Sequence, residues 1–294
     1  MGFAEVFATV FPVLALVGAG YVLGPRLGLD LRSLTELVVY LGGPALIFVS
    51  LLRGELPAGE VVVLAGGVVS VVLGVGAMLW LADLAGGRDR RHLYPPAMFY
   101  NSGNMLLPLA LLAFGEAGLH RAVVVFATMS FLQSSLGVAL AGGRFDFAEM
   151  LRLPYLYAVL AAMALRAAGL ALPRVLLTPL EMVGDLAVPL MLLALGLRLR
   201  AVRVDAWAPA LHVTAARLAG GYAAGLLFVT LAGVDGVSRG VLLLASVMPS
   251  AVINFVFAEK YAGESSDVAA AVVASTLVSF FTTPLVLAWG LGAG

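Results

Sequence analysis

The sequence predicts an all-α membrane protein in which ten transmembrane helices form a 5+5 inverted repeat, with helices 4 and 9 broken and crossing. Three observations support this fold class: long apolar runs, a duplicated residue pattern, and prolines and amides inside the fourth and ninth runs. Of the 294 residues, 62% are hydrophobic and only 12% are charged, and the mean hydropathy is +1.06. Because soluble domains carry about 25% charged residues, this composition indicates an integral membrane protein.

Ten apolar runs follow one another along the chain. A helix needs about 20 residues to cross the ~30 Å hydrocarbon core of a bilayer, and runs of this length fill almost the whole sequence. The first run contains Glu5 and has no basic residue before it, which favours a first span over a cleaved signal peptide. The loops are too short for a separate soluble domain. The predicted spans are 3–24, 31–52, 59–83, 95–114, 117–142, 153–172, 175–197, 206–231, 237–258 and 266–290.

The two halves of the chain repeat the same residues at a nearly constant distance. They divide the protein into a first five-helix repeat, residues 1–142, and a second, residues 153–294. An odd number of spans in each repeat inserts the second copy upside down, and proline-interrupted inverted repeats are typical of secondary transporters. A shift of 145 residues superposes Glu36 on Glu181, Pro44 on Pro189, and Arg53 on Arg198.

The distribution of basic residues predicts the orientation. Lys and Arg accumulate on the cytoplasmic side of membrane proteins, and most of them here follow odd-numbered spans, as in residues 88–91 and 198–203. The protein is therefore expected in the cell (inner) membrane. Its odd-numbered loops are expected in the cytoplasm and both termini on the extracytoplasmic side. Under the inverted symmetry, Pro44 and Pro189 lie close to the middle of the membrane.

The fourth and ninth spans contain the residues expected to bind a substrate. Asn101, Asn104 and Pro108 interrupt the fourth span, and Pro249 and Asn254 interrupt the ninth. A proline removes a backbone donor and clashes with the carbonyl four residues earlier, and the freed groups must face protein or a wet cavity. Two broken helices would direct half-helix N-termini, each worth about half a positive charge, into one shared cavity. The alternative is that these prolines only kink packed helices.

A polar face on the fifth span points to the same cavity. Ser130, Gln133 and Ser134 are spaced by three and four residues and share one side of a helix. Serines in membrane helices often only pack or bond to their own turn. Gln133 is a stronger candidate for substrate binding, because its amide needs several hydrogen-bond partners in hydrocarbon.

Ionisable residues inside the membrane are costly and are by default functional candidates. Arg217 lies well inside the eighth span. It can attract an anion or form an ion pair with Asp185 or Glu181, and the ion pair is favoured here. Glu36 and Glu181 lie near the ends of their spans, which favours a structural role at the interface. Together these four residues form a predicted charge network.

Three segments carry a resemblance to a known family. They are the run from Asn101 to Gly115, the run from Glu181 to Met191 continuing to Leu195 and Gly196, and above all the run Met248-Pro249-Ser250-Ala251-Val252-Ile253-Asn254-Phe255. Together they resemble the auxin efflux carrier family, the bacterial relatives of plant PIN transporters. The resemblance covers essentially all ten spans.

The resemblance implies a fold shared with bile-acid:sodium symporters, in which spans 1, 2, 6 and 7 form a scaffold. Spans 3–5 and 8–10 form a transport core, and spans 4 and 9 cross at their breaks. The family moves small organic anions by alternating access, and Asn101, Pro108, Gln133 and Pro249 match positions that line or shape its carboxylate site. The bile-acid symporters have an acidic residue at the ninth-span break, whereas the nearest here is Glu259. Strict sodium coupling is therefore not expected.

The protein is predicted to be a secondary carrier that moves a small organic anion across the cytoplasmic membrane. This anion is expected to be a carboxylate. The alternatives are a sodium-coupled symporter of bile-acid type, a passive channel and a substrate sensor. An enzyme is not expected: Gly184-Asp185 resembles half of an intramembrane aspartyl protease site, but that chemistry needs two close carboxylates.

The sequence also limits cofactors and partners. It has no cysteine, its three histidines are scattered, and its net charge is zero. No metal site, no cofactor and no nucleic-acid partner are therefore expected; the partners are the organic anion and the lipid bilayer. Gly221 and Gly225 form a small-xxx-small face, which is more often packing inside a bundle than the seam of a homodimer.

Overall fold

The computed structural model describes residues 3–54, 56–87, 90–141, 151, 153–201, 207–262 and 266–290. In this part of the chain the regular elements are helices, and an isolated β-bridge joins two loops. The main helices are α1 (Phe3–Leu23), α2 (Leu31–Arg53), α3 (Ala58–Gly86), α4 (Tyr94–Met98), α5 (Ser102–Leu140), α6 (Pro154–Ala167), α7 (Arg174–Ala201), α8 (Trp207–Leu231), α9 (Gly236–Ser246), α10 (Ile253–Ala262) and α11 (Ser266–Gly290).

Seven of the described helices are long and apolar enough to cross a membrane: α1, α2, α3, α5, α7, α8 and α11. The helices α6 and α9 are apolar but shorter. These lengths confirm an all-helical, multi-pass membrane protein.

The 39-residue helix α5 turns back on itself at Gly115. A straight helix of that length would measure about 58 Å, nearly twice the thickness of the hydrocarbon core. Gly115 has φ 64° and ψ −157°, a conformation that is accessible mainly to glycine. Across this turn, a methyl group on Gly118 would contact the Ala110 carbonyl oxygen at 2.5 Å. The first arm of α5 (102–114) and the second arm (116–140) therefore form a hairpin, and the turn lies where spans 4 and 5 were predicted to separate.

Wide π-type turns, in which the backbone hydrogen bonds span five residues instead of four, interrupt several helices. One of them, Val38–Gly42, immediately precedes Pro44 in α2, where the proline ring cannot fit the regular ladder. In contrast, α7 continues as an α-helix through Pro189. The two prolines that correspond in the repeats thus have different local consequences.

Helices α1, α2, α6 and α7 pack closely through small residues. A methyl group on Gly20 in α1 would collide with the backbone of Leu193 in α7, and one on Gly42 in α2 would contact Ala187 in α7. The Tyr155 ring of α6 lies against Gly43 of α2. Such close backbone approaches are typical of helix association in membranes.

A second set of contacts joins α3, α8, α9 and α11. Gly67 of α3 lies against Leu242 of α9 and Phe228 of α8. Buried alanines join α8 to α11 in a small cluster, namely Ala210, Ala270 and Ala274. The face formed by Gly221 and Gly225 packs on Ser246 of α9. It is therefore used for packing within the protein.

Candidate functional site

Two interruptions in the helices meet in the interior of the protein. Helix α4 ends at Met98 and α5 begins at Ser102, while α9 ends at Ser246 and α10 begins at Ile253. Tyr100 and Ser250 form an antiparallel β-bridge between the two loops. Its backbone hydrogen bonds run from the Asn101 N–H to the Pro249 carbonyl (2.8 Å) and from the Ala251 N–H to the Phe99 carbonyl (3.0 Å). Each loop thus satisfies polar groups that the other exposes.

The local sequence explains these interruptions. Phe99 has an extended backbone, with φ −100° and ψ 115°, and the Asn101 side chain then caps a new π-type turn by accepting a hydrogen bond from the Asn104 N–H at 3.0 Å. Pro108 lies in the first turn of the α-helical segment that follows, where its missing N–H costs least. Pro249 likewise has no N–H, and it contributes its carbonyl to the bridge.

A cavity of about 510 Å³ lies beside the paired loops. Its wall includes the first residues of α5 and the residues at the start of α10, such as Val252 and Ile253. Both half-helix N-termini therefore face the same space, and each favours a negative group. The other walls come from α2, α6, α7 and the second arm of α5. The polar residues around the cavity are Thr35, Tyr40, Tyr100, Asn101, Ser102, Asn104, Ser130, Gln133, Ser134, Tyr155 and Arg198.

Asn101 lines this cavity and has a buried donor that is not used. Its side chain is only 5% exposed, and its Nδ2 has no hydrogen-bond partner among the described residues. The orientation of the amide follows from its environment, because the oxygen must accept the hydrogen bond from the Asn104 N–H. A buried donor without a partner costs about 1–3 kcal/mol, so this amide group is suited to bind an acceptor from the cavity.

Gln133 and Asn254 form a buried amide pair between the second arm of α5 and α10. Gln133 lines the large cavity and donates from Nε2 to the Asn254 Oδ1 at 2.9 Å. Asn254 donates from Nδ2 to the Phe99 carbonyl (2.9 Å) and to the Ser250 hydroxyl (3.1 Å).

The contacts of Asn254, which was predicted to bind substrate, are made with the protein itself. Both of its donor hydrogens are used to hold the two loops together, and its side chain lines a separate cavity of about 210 Å³. It braces the paired loops, whereas Asn101, Asn104 and Gln133 reach the large cavity.

Arg217 contacts the C-terminal ends of α4 and α9, the helices that precede the two interruptions. It is completely buried and donates from Nη1 to the Ala97 and Met98 carbonyls (3.0 Å each) and from Nη2 to the Ser246 carbonyl (2.9 Å). These are the last carbonyls of α4 and α9, where a helix carries about half a negative charge. The guanidinium also lies 5.1 Å from the centre of the Tyr100 ring, a cation–π contact.

This position of Arg217 differs from the ion pair with Asp185 or Glu181 that the sequence favoured. Glu181 instead binds Arg53 of α2, and Asp185 is exposed on α7. Three converging carbonyls and an aromatic face contact the buried guanidinium, while its Nε has no partner among the described residues. The sequence could not indicate these partners of Arg217, because the acceptors are backbone carbonyls.

Glu36 also has a local partner. It accepts a hydrogen bond of 2.8 Å from Arg32, one helical turn earlier, and both side chains are largely exposed. Exposed pairs of this kind contribute little to stability. The exposed contact of Glu36 with Arg32 agrees with the predicted position of Glu36 near the end of its span.

Arg198 lines the large cavity, although the sequence placed it only among the loop charges. The signal that could have identified it is its spacing from Met191 and Ala194 by seven and four residues. All three line the cavity and share one face of α7.

Comparison with known proteins places this arrangement in a family. A model of the family described as membrane transport protein matches residues 142–287. A protein named as an uncharacterized transporter in Methanothermobacter thermautotrophicus is 30% identical over 295 residues, covering 94% of this chain and 96% of that protein. An uncharacterized transporter of Methanocaldococcus jannaschii is 27% identical over 308 residues, covering 96% of each chain. This chain belongs to the membrane transport protein family.

The membrane transport protein family is the auxin efflux carrier-like family that the motifs resemble, so that recognition is confirmed. The family match includes α7, α8 and the loop from Val247 to Val252. The first interruption, around Asn101, precedes the match, but the two archaeal relatives align with nearly the whole chain. The membrane location and the relationship to transporters are therefore established.

Proposed function

We propose that this protein is a secondary carrier that moves a small organic anion, with a carboxylate as the recognised group, across the cytoplasmic membrane by alternating access. The observation that carries the proposal is the unpartnered Nδ2 of buried Asn101, which lies beside a cavity walled by two half-helix N-termini. A carboxylate has the acceptors that these donors lack, and hydrogen bonds to a charged group contribute about 1.5–3 kcal/mol each.

The charge distribution around the loops supports an anion as the substrate. Arg217 binds the negative C-terminal poles of α4 and α9 and does not line the cavity. The positive N-terminal poles of α5 and α10 face the cavity. At the paired loops an anion would thus meet the partial positive charges of the helix termini and the Asn101 amide.

The architecture proposed for this carrier is a bundle of ten spans in two inverted repeats of residues 1–142 and 153–294. Helix α4 and the first arm of α5 form the fourth span, and α9 with α10 forms the ninth. The reciprocal bridge supports a two-fold relation, because a shift of 150 residues relates Phe99 to Pro249 and Asn101 to Ala251. This shift exchanges the two hydrogen bonds of the bridge, Asn101 N–H to Pro249 and Ala251 N–H to Phe99. In this arrangement spans 4 and 9 cross at the bridge.

The proposed division of labour follows the packing. Spans 1, 2, 6 and 7, held together through small residues such as Gly20 and Gly42, form the scaffold. Spans 3–5 and 8–10 form the transport core that carries the paired loops. The large cavity lies between the two groups, since Tyr155 and Met191 of the scaffold face Asn101 and Gln133 of the core.

The state described here is proposed to open toward the cytoplasm. The cavity reaches residues near the odd-numbered loops, such as Thr35, Pro154 and Phe257, and these loops contain most of the basic residues. At the other end, Gly54 of the scaffold lies against the His120 ring of the core. An outward-open state would separate this contact and close the cavity around Arg198 and Pro154.

The test is binding and counterflow with defined carboxylates. Purified protein is screened by thermal shift against acetate, pyruvate, succinate, malate, citrate and indole-3-acetate, and the stabilising compounds are measured in proteoliposomes. If the protein is a carrier, unlabelled substrate loaded into the proteoliposomes accelerates the uptake of labelled substrate, and the uptake rate saturates with substrate concentration. Flux that never saturates and shows no counterflow indicates a channel, and no stabilisation or uptake of any carboxylate contradicts the proposal.

A further inference from the structure

Arg198 is a cavity residue whose charge is not compensated by the residues around it. Its side chain is half-buried and lines the large cavity together with Met191 and Ala194 from the same face of α7. Within the described ranges, no hydrogen bond or ion pair of its guanidinium is found. A cation in a partly dry cavity wall normally pairs with a carboxylate or serves a function.

The internal repeat shows why Arg198 is unpaired. Its counterpart in the first repeat, Arg53, forms an ion pair with Glu181. The equivalent partner for Arg198 would be Glu36, which instead binds Arg32 at 2.8 Å. The sequence thus supplies both members of the second pair, but the extra arginine one turn before Glu36 occupies the carboxylate. The charge of Arg198 is left directed to the cavity.

The neighbouring arginine of α7 is turned in another direction. Arg200 donates to the Tyr21 carbonyl of α1 at 3.3 Å and lies 5.5 Å from the centre of the Tyr21 ring. Two residues along a helix correspond to about 200° of rotation, which places Arg200 away from Ala194 and the cavity. The two arginines therefore have the same charge and lie within one turn of α7, but only Arg198 lines the cavity.

We propose that Arg198 is the residue that gives the cavity its selectivity for anions: its guanidinium attracts the substrate at the open end and holds its negative charge before the carboxylate reaches Asn101. This inference rests on the proposed function of the cavity. A narrow cleft with low-dielectric walls focuses the field of one unpaired charge and raises the local concentration of the opposite sign. Asn101 and the helix termini then supply directional hydrogen bonds, which an arginine at the mouth does not provide.

The absence of native cysteine permits a direct measurement of the potential in the cavity. Ser134→Cys introduces a nearly isosteric thiol at a half-buried position in the cavity wall. Its modification rates are measured with the anionic sulfonatoethyl and the cationic trimethylammonioethyl methanethiosulfonates, which are similar in size. The ratio of the two rates reports the local electrostatic potential and needs no knowledge of the natural substrate.

The decisive comparison is between Arg198→Gln and Arg200→Gln in the Ser134→Cys background. Arg198→Gln should lower the anionic-to-cationic ratio by at least about threefold at low salt, with a smaller effect at high salt because exposed charges are screened. Arg198→Lys should retain most of the ratio, and Arg200→Gln should leave it unchanged. An unchanged ratio in Arg198→Gln overturns the proposal, and an additional loss of melting temperature would identify Arg198 as an anchor for the end of α7.

A second measurement links this potential to the substrate. For whichever of the screened carboxylates stabilises the parent protein, Arg198→Gln should raise the half-saturation concentration by about tenfold at low salt, and added salt should narrow this difference. Equal affinity of parent and variant contradicts the role in selectivity. If the thiol ratio changes but no carboxylate binds, the charge assignment of Arg198 stands and the proposed carboxylate transport is wrong.

Discussion

Arg217 donates a 2.9 Å hydrogen bond to the carbonyl of Ser246, the last residue of α9. The same guanidinium binds the final carbonyls of α4, so one side chain joins the ends of two half-helices that are 148 residues apart at Met98 and Ser246. The N-termini of α5 and α10, which follow the two interruptions, face the cavity. The position of Arg217 thus ties the geometry of the candidate site to a residue that does not line it.

Replacing Arg217 should affect folding and transport together. Arg217→Gln removes a charged donor and leaves up to three buried carbonyls unpaired. Since a buried unsatisfied group costs about 1–3 kcal/mol, we expect a loss of at least about 3 kcal/mol of stability, measured as a large decrease in melting temperature in detergent. The exposed Arg26→Gln is the control. A variant with parental melting temperature and parental uptake would contradict the proposed role.

Gly221 provides an independent test of the same contact. A methyl group at this position would collide with the Arg217 guanidinium and the Ser246 carbonyl. Gly221→Ala should therefore displace the arginine and lower the melting temperature, although alanine favours a helix by about 1 kcal/mol over glycine. In Gly18→Ala of α1, where no atom lies within 4 Å of the added methyl, stability should remain the same or rise. A similar response of both variants would argue against the steric effect.

The proposed orientation predicts labelling from opposite sides of the membrane. Leu27, in the turn after α1, is 68% exposed, and Gly59, at the start of α3, has free space for a side chain. In whole cells, Leu27→Cys should be protected from an impermeant maleimide and Gly59→Cys should react with it. The cysteine-free parent is the background control. Reaction of both positions, or the reverse pattern, is incompatible with the predicted topology.

Much of the fold could be predicted from periodicity and composition, because the solvent of a membrane helix imposes a strong and simple pattern. The interruptions around Asn101 and Pro249 were also visible, since amides and prolines in hydrocarbon have few structural solutions. Pro189 shows the limit of this reasoning. The equivalent proline in the other repeat follows a π-type turn, whereas α7 accommodates Pro189 without one, and the sequence does not reveal which response occurs.

The candidate site was less predictable than the fold, because its decisive contacts involve backbone atoms and tertiary choices. Arg217 binds three carbonyls, and no residue type signals such acceptors. Glu36 binds Arg32, and the sequence did not indicate that Arg198 lines the cavity. Similarly, Asn254 was visible as an amide, but the sequence could not show that both of its donor hydrogens bind the protein itself.

Transport is expected to proceed without sodium. A hard cation prefers several oxygen ligands that include charged ones, whereas the paired loops offer the neutral groups of Asn101, Ser250 and Asn254. The nearest carboxylate after the second interruption, Glu259, is exposed on α10. Counterflow of the stabilising carboxylate should therefore persist when sodium is replaced by potassium or choline at constant pH and membrane potential. Its disappearance in both replacement salts would establish sodium coupling.

Asn101 allows the binding role and the structural role of one amide to be separated. Its oxygen caps the turn that starts α5, while its nitrogen has no hydrogen-bond partner among the described residues. Asn101→Asp keeps an oxygen for the cap but replaces the free donor with a negative oxygen, and Asn101→Ala removes both functions. Losing a cap costs about 1 kcal/mol, and losing a hydrogen bond to a charged ligand costs about 1.5–3 kcal/mol.

The two Asn101 variants should therefore both lose affinity, but for different reasons. Asn101→Asp keeps the cap but buries a negative oxygen, which is costly. It should lose more melting temperature at neutral than at acidic pH, and at neutral pH it should bind the stabilising carboxylate at least about tenfold more weakly, since each 1.4 kcal/mol is a factor of ten. Asn101→Ala should lose both affinity and some stability. Ser135→Ala is the matched control, because this hydroxyl bonds only within its own helix, to Phe131 and Leu132. If Asn101→Asp binds as tightly as the parent, the amide nitrogen does not contact the substrate, and the cavity must recognise its anion through Arg198 and the helix termini alone.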